Sequence, residues 1–181
     1  CNSGSMTLTA NGNGKILWFV NASTPNILDT GAVFTTPNLT QTTSYWVENH
    51  LEKPIQNVGK VAATPGGANL NYDQYLIFDV FKPVILKSVK VYAYSSGSRT
   101  IKLQNSSGST LATKNFTVVI GWNTVTLDFD LPIGTDLRLA GKNLHRSNVG
   151  VSYPYALSGI LSIHKSSAGT NPLSYYYYFY D

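Results

Sequence analysis

Apolar and polar residues alternate with a period of two along most of this chain, the signature of strands that lay one face on a core. In the first fifty residues "MTLTA" (6–10) is a short strand of this kind. "NGNG" (11–14) is a strong turn signal, and "KILWFV" (15–20) stands where a hairpin return belongs. "VFTTPNL" (33–39) and "TSYWVEN" (43–49) add two more strands. Four strands make half a sandwich, and the module reads as lacking its first strand. Positions 50 to 57, "HLEKPIQN", break the alternation with a Pro and Glu52 and read as a linker.

A second and larger series follows from Val58. After the opening "VGKVAATPGGANLNYD" come "QYLIFDVF" (74–81), "VILKSVKVYAYS" (84–95), "RTIKLQNS" (99–106), "TLATKNFTVV" (110–119) and "WNTVTLDFDL" (122–131). "TDLRLAG" (135–141), "GVSYPY" (150–155) and "GILSIHKS" (159–166) complete it. "SSGS" (95–98) and "SSGST" (106–110) have the composition of hairpin loops. Eight or so strands at this spacing predict a jelly-roll or related antiparallel sandwich. The expected fold is all-β: a small Ig-like sandwich over 1–50, a linker over 51–57 and a larger jelly-roll-like β-sandwich over 58–181, the ligand-binding module.

The Ig-like label comes from a resemblance. Cys1, the run Gly4 to Ala10, the pair Trp18 and Phe19, and "GAVFTTPNLTQTTSYWVEN" from Gly31 to Asn49 resemble the Ig-like repeat of large Bacteroidetes-type secreted proteins. The resemblance implies a structural module, often strung in arrays and exported by the type IX pathway, with no catalysis. It also implies that Trp18 and Trp46 are core residues, and that neighbouring domains of a longer parent are covalently linked to this segment. Segments 71–93, 99–111 and 149–163 resemble the β-sandwich modules that accompany such repeats in exported hydrolases and adhesins. The expected location is secreted or cell-surface.

Composition agrees with strands. Charged residues make up 12% of the chain, about half the usual share. Thr, Ser, Asn, 15 Gly and 12 Tyr carry the rest of the polar and turn character, and β-branched and aromatic side chains suit a pleated surface. The net charge is +4, but the basic residues are dispersed, with no adjacent pair, which argues against a nucleic-acid partner. No apolar run reaches the roughly 18 residues of a membrane span, so no membrane insertion is expected. The single Cys, Cys1, rules out an internal disulfide.

Catalytic constellations are mostly absent, with hydrolase activity from Asp128 and Asp130 as the one enzymatic alternative. His50, His145 and His164 form no zinc-type pair, and there is no nucleophile elbow. A glycosidase needs two carboxylates across the scissile bond. Glu48 and Glu52 sit at the module junction, while Asp128 and Asp130 lie on one face of a strand, about 7 Å apart by strand rise. The Asp pair reads as a solvated outer face, because Leu127, Phe129 and Leu131 supply the inner one. No cofactor is expected; Asp73, Asp79 and Asp136 are available as donors for a structural Ca²⁺.

The aromatic residues point to binding. Sugar C–H faces pack on aromatic rings, while hydroxyls take hydrogen bonds from amides, Arg, Asp and Tyr. "NLNYDQY" (69–75) offers Tyr72 and Tyr75 beside Asn71, Asp73 and Gln74. "NLHRSNVGVSYPY" (143–155), read as a long polar loop, offers Arg146, Asn148, Tyr153 and Tyr155. In the terminal "NPLSYYYYFY" (171–180), alternation puts Tyr175, Tyr177 and Phe179 on one face and Tyr176, Tyr178 and Tyr180 on the other. An outward set there, with Tyr176, would join the 143–155 loop as a platform; Trp122, after Gly121, is a further exposed candidate. The expectation is a carbohydrate-binding or adhesive accessory module that holds a polysaccharide or cell-surface glycan. The alternative is a structural spacer or protein-interaction module, with the aromatic run buried between modules.

Overall fold

The computed structural model describes residues 3–23, 26–51, 54–63 and 67–181; Cys1 and Glu52 lie outside the described residues. Among these the protein is all-β with no helix. It divides into two compact units, Cys1–Gln56 and Asn57–Asp181.

The first unit holds two small antiparallel sheets. One pairs β1 (Thr7–Thr9) with β4 (Val33–Thr35); the other has the order β3 (Ile27–Thr30), β2 (Lys15–Phe19), β5 (Trp46–His50). Alternation along β2 and β4 brings Ile16, Trp18 and Phe34 into a shared core. Trp18 packs tilted against Phe34 with ring centres 5.5 Å apart and donates its indole N–H to the Gly31 carbonyl at 2.9 Å, so the buried polar atom is satisfied. Three expectations are corrected. "NGNG" does not close a hairpin, because β1 and β2 lie in different sheets. Its glycines serve a close approach instead: Gly14 donates to Asn49 Oδ1 at 2.9 Å, and a Cβ there would meet the His50 carbonyl oxygen at 2.4 Å. The pattern also missed β3, four exposed residues with no alternation in burial. Trp46 is 42% exposed, since it lies on the edge strand β5 opposite Phe19, away from the Trp18–Phe34 contact.

The second unit is an antiparallel sandwich. Its strands are β6 (Ala68–Leu70), β7 (Gln74–Val80), β8 (Val84–Ala93), β9 (Gly97–Gln104), β10 (Thr110–Val118), β11 (Gly121–Leu131), β12 (Gly134–Gly141), β13 (Leu144–Ser147), β14 (Tyr155–Leu157), β15 (Leu161–Ser166) and β16 (Tyr176–Tyr177). One layer is a six-stranded sheet ordered β10-β9-β12-β7-β15-β14. Facing it are the β11-β8 pair and the three-stranded β16-β13-β6 sheet. The inner faces read directly from alternation: Leu76, Phe78 and Val80 on β7, Ile101 and Leu103 on β9, Val89, Val91 and Ala93 on β8, and Val125, Leu127, Phe129 and Leu131 on β11 share one core. "SSGST" joins β9 to β10 as a hairpin. "SSGS" at 95–98 does not, because β8 and β9 belong to different sheets and the segment is a corner between layers.

The terminal run corrects the alternation argument. Tyr176, Tyr177, Tyr178, Phe179 and Tyr180 are all buried at 5% exposure or less. Only Tyr176 and Tyr177 pair as a strand, with Ser147 and Arg146. Tyr178 then adopts a φ of 72°, a left-handed conformation that breaks the two-residue period. Past that break Tyr180 forms a two-way backbone bridge with Lys90 of β8, at 2.9 and 2.8 Å. The run thus stitches the β13 sheet to β8, with both of its faces inside the unit.

Candidate functional site

The six-stranded sheet has an outer face fixed by the same alternation that builds the core. With Leu76, Ile101 and Leu103 turned inward, Tyr75, Thr100 and Lys102 project outward, and register sets Ala140 of β12 between Tyr75 of β7 and Lys102 of β9. Ala140 is the small residue of the three. Over it lies a groove of about 270 Å³, whose rim carries Asn71, Asp73, Thr100, Lys102, Lys142 and Asn143. This is near the lower end of ligand-pocket sizes, roughly 300 Å³.

Each wall has a local cause. Arg99, 8% exposed, turns inward at the groove floor and donates to the carbonyls of Asn143, Ser98 and Ser95, each at 2.9 Å. Those bonds fix the 141–143 turn, where Asn143 holds a φ of 57°. The Asn143 side-chain oxygen accepts from the Asn69 amide at 3.1 Å. Tyr178 donates its hydroxyl to the Tyr72 carbonyl at 2.8 Å, which anchors the 71–73 turn and leaves the Tyr72 ring 69% exposed. Tyr75 is half-buried, with the Arg138 guanidinium 4.9 Å from its ring centre. Lys102 and Lys142 have no ion-pair partner within 4 Å among the described residues. The groove therefore presents amide, hydroxyl, ammonium and carboxylate groups; Tyr75 adjoins it as the register partner of Ala140, and Tyr72 stands on the turn that lends it Asn71 and Asp73.

The other residues singled out from sequence are brought together, but by packing. The 143–155 segment is no loop at its start, since β13 buries Leu144, His145 and Ser147. The Arg146 guanidinium lies 4.5 Å over the Tyr175 ring. Tyr153 stacks on Tyr176 at 6.0 Å and donates to the Tyr175 carbonyl at 2.8 Å. Tyr155 meets both rings, at 5.3 and 5.1 Å, and accepts from the Ser152 backbone N–H. Tyr176, at 0% exposure, is enclosed and cannot form a surface platform. Gly59 explains part of that enclosure: it has a φ of 131°, and a Cβ there would fall 2.5 Å from the Tyr176 hydroxyl. Burial raises the pKa of Tyr153, Tyr176, Tyr177, Tyr178 and Tyr180. Of this set only Asn148 is exposed, on the segment after β13.

Sequence reasoning missed a second aromatic face. Tyr92 and Tyr94, two apart on β8, flank one another at 5.3 Å, and Trp122, opposite Tyr92 in register, packs on it at 5.4 Å. Trp122 and Tyr94 are 45% and 47% exposed. Beneath them Tyr94 hydrogen-bonds the buried His145 through Nδ1 at 2.9 Å. Burial, and then Arg146, lower the His145 pKa, keeping the ring neutral. The readable signal was the outward register Tyr92, Tyr94 beside an exposed Trp.

The carboxylates fall in two places. Asp128 sits in a bulge of β11 at φ 52° and pairs with Lys87 at 2.6 Å; it and Asp130 are exposed. The Asp128 carboxylate is thus paired with a lysine in open solvent, on an exposed strand face rather than in a cleft. Asp73 lies at the groove, whereas Asp79 and Asp136 meet His164 elsewhere on the six-stranded sheet. In the first unit a recess of about 340 Å³, lined by residues of the 10–12, 14–16 and 30–32 segments, has Lys15 as its one charged side chain.

No curated protein and no solved structure matches the chain. Residues 1–64 do match a family model, described as an Ig-like domain, CHU_C associated, which is a Bacteroidetes-type domain. That match covers the first unit and the first few residues of the second, so what the comparisons identify is an Ig-like domain at the N-terminus of this chain.

Proposed function

We propose that the second unit is a non-catalytic polysaccharide-binding module of an exported bacterial protein, and that the Ig-like domain is the structural module that presents it. The observation that carries this reading is the groove over Ala140. It combines a concavity of about 270 Å³ with polar groups able to pair with vicinal hydroxyls, and it adjoins Tyr75, the register partner of Ala140, and the turn that carries the exposed Tyr72 between the lining residues Asn71 and Asp73. The sheet fixes the backbone that carries them, so no loop has to be ordered along β9 and β12 on binding. The Ig-like match supports export, since domains of that type are typical of secreted or surface proteins. Affinity electrophoresis of the full chain in gels carrying neutral and acidic polysaccharides of plant, algal and microbial origin tests the reading. Retardation by at least one polymer is expected, and free migration through all of them overturns it.

A second reading has an observation of its own. The first unit exposes Ile27 and Leu28 on β3 and Trp46 and Val47 on β5, each 42% or more. Apolar edge-strand residues of this kind favour a protein contact. On this reading the Ig-like domain docks other protein modules while the second unit acts as a spacer.

A further inference from the structure

The expectation of a structural Ca²⁺ grouped Asp79 and Asp136 with Asp73, but the structure gives them a different third partner. Asp79 is an outward residue of β7, Asp136 belongs to β12 and His164 to β15, and these three strands are neighbours in the order β12-β7-β15. Both flanking strands are irregular at the residue concerned. The β12 register shifts between Gly134 and Leu137, with Asp136 at φ 53°, and the β15 register shifts between Ile163 and Lys165, at His164. The bulges re-aim two side chains toward Asp79 from opposite sides. One donor atom from each residue can be chosen so that all three lie within 4.8 Å of one another.

The spacing is that of a coordination polyhedron rather than of hydrogen bonds. His164 Nε2 stands 3.4 Å from Asp79 Oδ1 and 3.5 Å from Asp136 Oδ1. It is shielded from solvent and makes no hydrogen bond, so it is a ring nitrogen held between two carboxylates without closing on either. A tetrahedral ion with bonds of about 2.0–2.2 Å sets its donors about 3.3–3.6 Å apart. The Asp136 backbone N–H donates to Asp79 Oδ1 at 2.9 Å, an outer contact of the kind that orients a metal-binding carboxylate. Lys165 Nζ, 3.8 Å from the same Asp136 oxygen, competes for it but is half-exposed and free to swing out.

We infer that Asp79, Asp136 and His164 form a surface binding site for a divalent transition-metal ion of the Zn²⁺ type. The donor chemistry selects the ion. An imidazole nitrogen suits Zn²⁺, Co²⁺, Ni²⁺ or Cu²⁺, whereas Ca²⁺ and Mg²⁺ take oxygen donors. Three protein donors leave a fourth position for water or for an oxygen of a bound partner. The site spans β12, β7 and β15, the centre of the six-stranded sheet, so an ion there would clamp three strands. This inference is independent of the polysaccharide reading.

The test is calorimetric and spectroscopic titration of the chelator-treated full chain with ZnCl₂ and with CoCl₂. One-to-one binding is expected, with visible Co²⁺ bands of the intense tetrahedral type and a shifted His164 side-chain nitrogen resonance. The thermal midpoint of the second unit should rise by several degrees at a hundredfold excess of Zn²⁺ over its dissociation constant. His164→Gln and Asp136→Asn should each weaken Zn²⁺ at least tenfold while leaving the metal-free midpoint within about 2 °C. His50→Gln, which removes the His50–Glu48 pair of the first unit, should change nothing. Three results would overturn the site: no Zn²⁺ binding, binding lost in His50→Gln, or CaCl₂ binding as tightly as ZnCl₂ and surviving His164→Gln.

Discussion

Two tyrosine-bearing segments of the second unit have opposite fates. The terminal run is the richer in aromatics, and Tyr176 through Tyr180 are all buried. The segment 69–75 carries only two tyrosines, and Tyr72 is 69% exposed. The difference lies in what the backbone does between rings. At Tyr178 the left-handed turn rotates the chain, so neither alternating face is left outside, and every hydroxyl must find a partner or remain neutral and dry. Tyr178 donates to the Tyr72 carbonyl and Tyr180 hydrogen-bonds Ser147 Oγ at 2.9 Å. The buried run therefore positions the exposed segment. Aromatic density marks the place where this fold spends its packing, and the sparser segment beside it is where a ligand can reach a ring.

The sharpest way to break that comparison is to charge the buried hydroxyls. Tyr153, Tyr176, Tyr177, Tyr178 and Tyr180 have raised pKa values, with burial the leading cause in each. An unfolded tyrosine ionises near its ordinary value of 10, whereas the folded chain keeps these five protonated beyond it. The unfolded state then holds fewer protons, so stability is intact below about pH 10 and falls as pH rises through the folded values. Tyrosinate absorbance should rise in two stages, with the buried run appearing only with loss of the β circular-dichroism signal. A single early stage containing every tyrosine would contradict the burial.

Substitution gives the next largest effect. Tyr180→Ala removes a fully buried ring that touches Trp122, Tyr176 and His145 and should cost about 3–5 kcal/mol in urea unfolding of the second unit. Ser147→Ala leaves the Tyr180 hydroxyl without its close partner and should cost about 1–3 kcal/mol. A cost below about 0.5 kcal/mol for either would place the run outside the cooperative core.

Much of this fold was legible because its core follows strict alternation. Leu127, Phe129 and Leu131 could be assigned inward from sequence, with Asp128 and Asp130 outward, and the structure has them so. Trp18 was legible instead from the resemblance to the Ig-like repeat, since β2 buries Ile16, Leu17 and Trp18 in succession. Period-two reasoning failed where the backbone leaves the period: at Tyr178, at the bulges of Asp136 and His164, and at β3, whose four residues are all exposed. It also could not say which strands share a sheet, so the turns at 11–14 and 95–98 were misread as hairpins. For the site, Tyr72 and Tyr75 were visible as an aromatic and amide cluster. Their groove partners Thr100, Lys102, Lys142 and Asn143 come from strands that only the β7-β12-β9 order brings together.

The central claim, that the exposed segment rather than the buried run meets the ligand, is tested most directly by Tyr72→Ala. Its ring is in solvent, so urea unfolding should change by no more than about 0.5 kcal/mol. Affinity electrophoresis on whichever polysaccharide retards the wild-type chain should show binding weakened about tenfold, the loss of one ring–sugar contact worth roughly 1–2 kcal/mol. Unchanged stability with undiminished retardation would contradict the account and move the binding surface away from the groove.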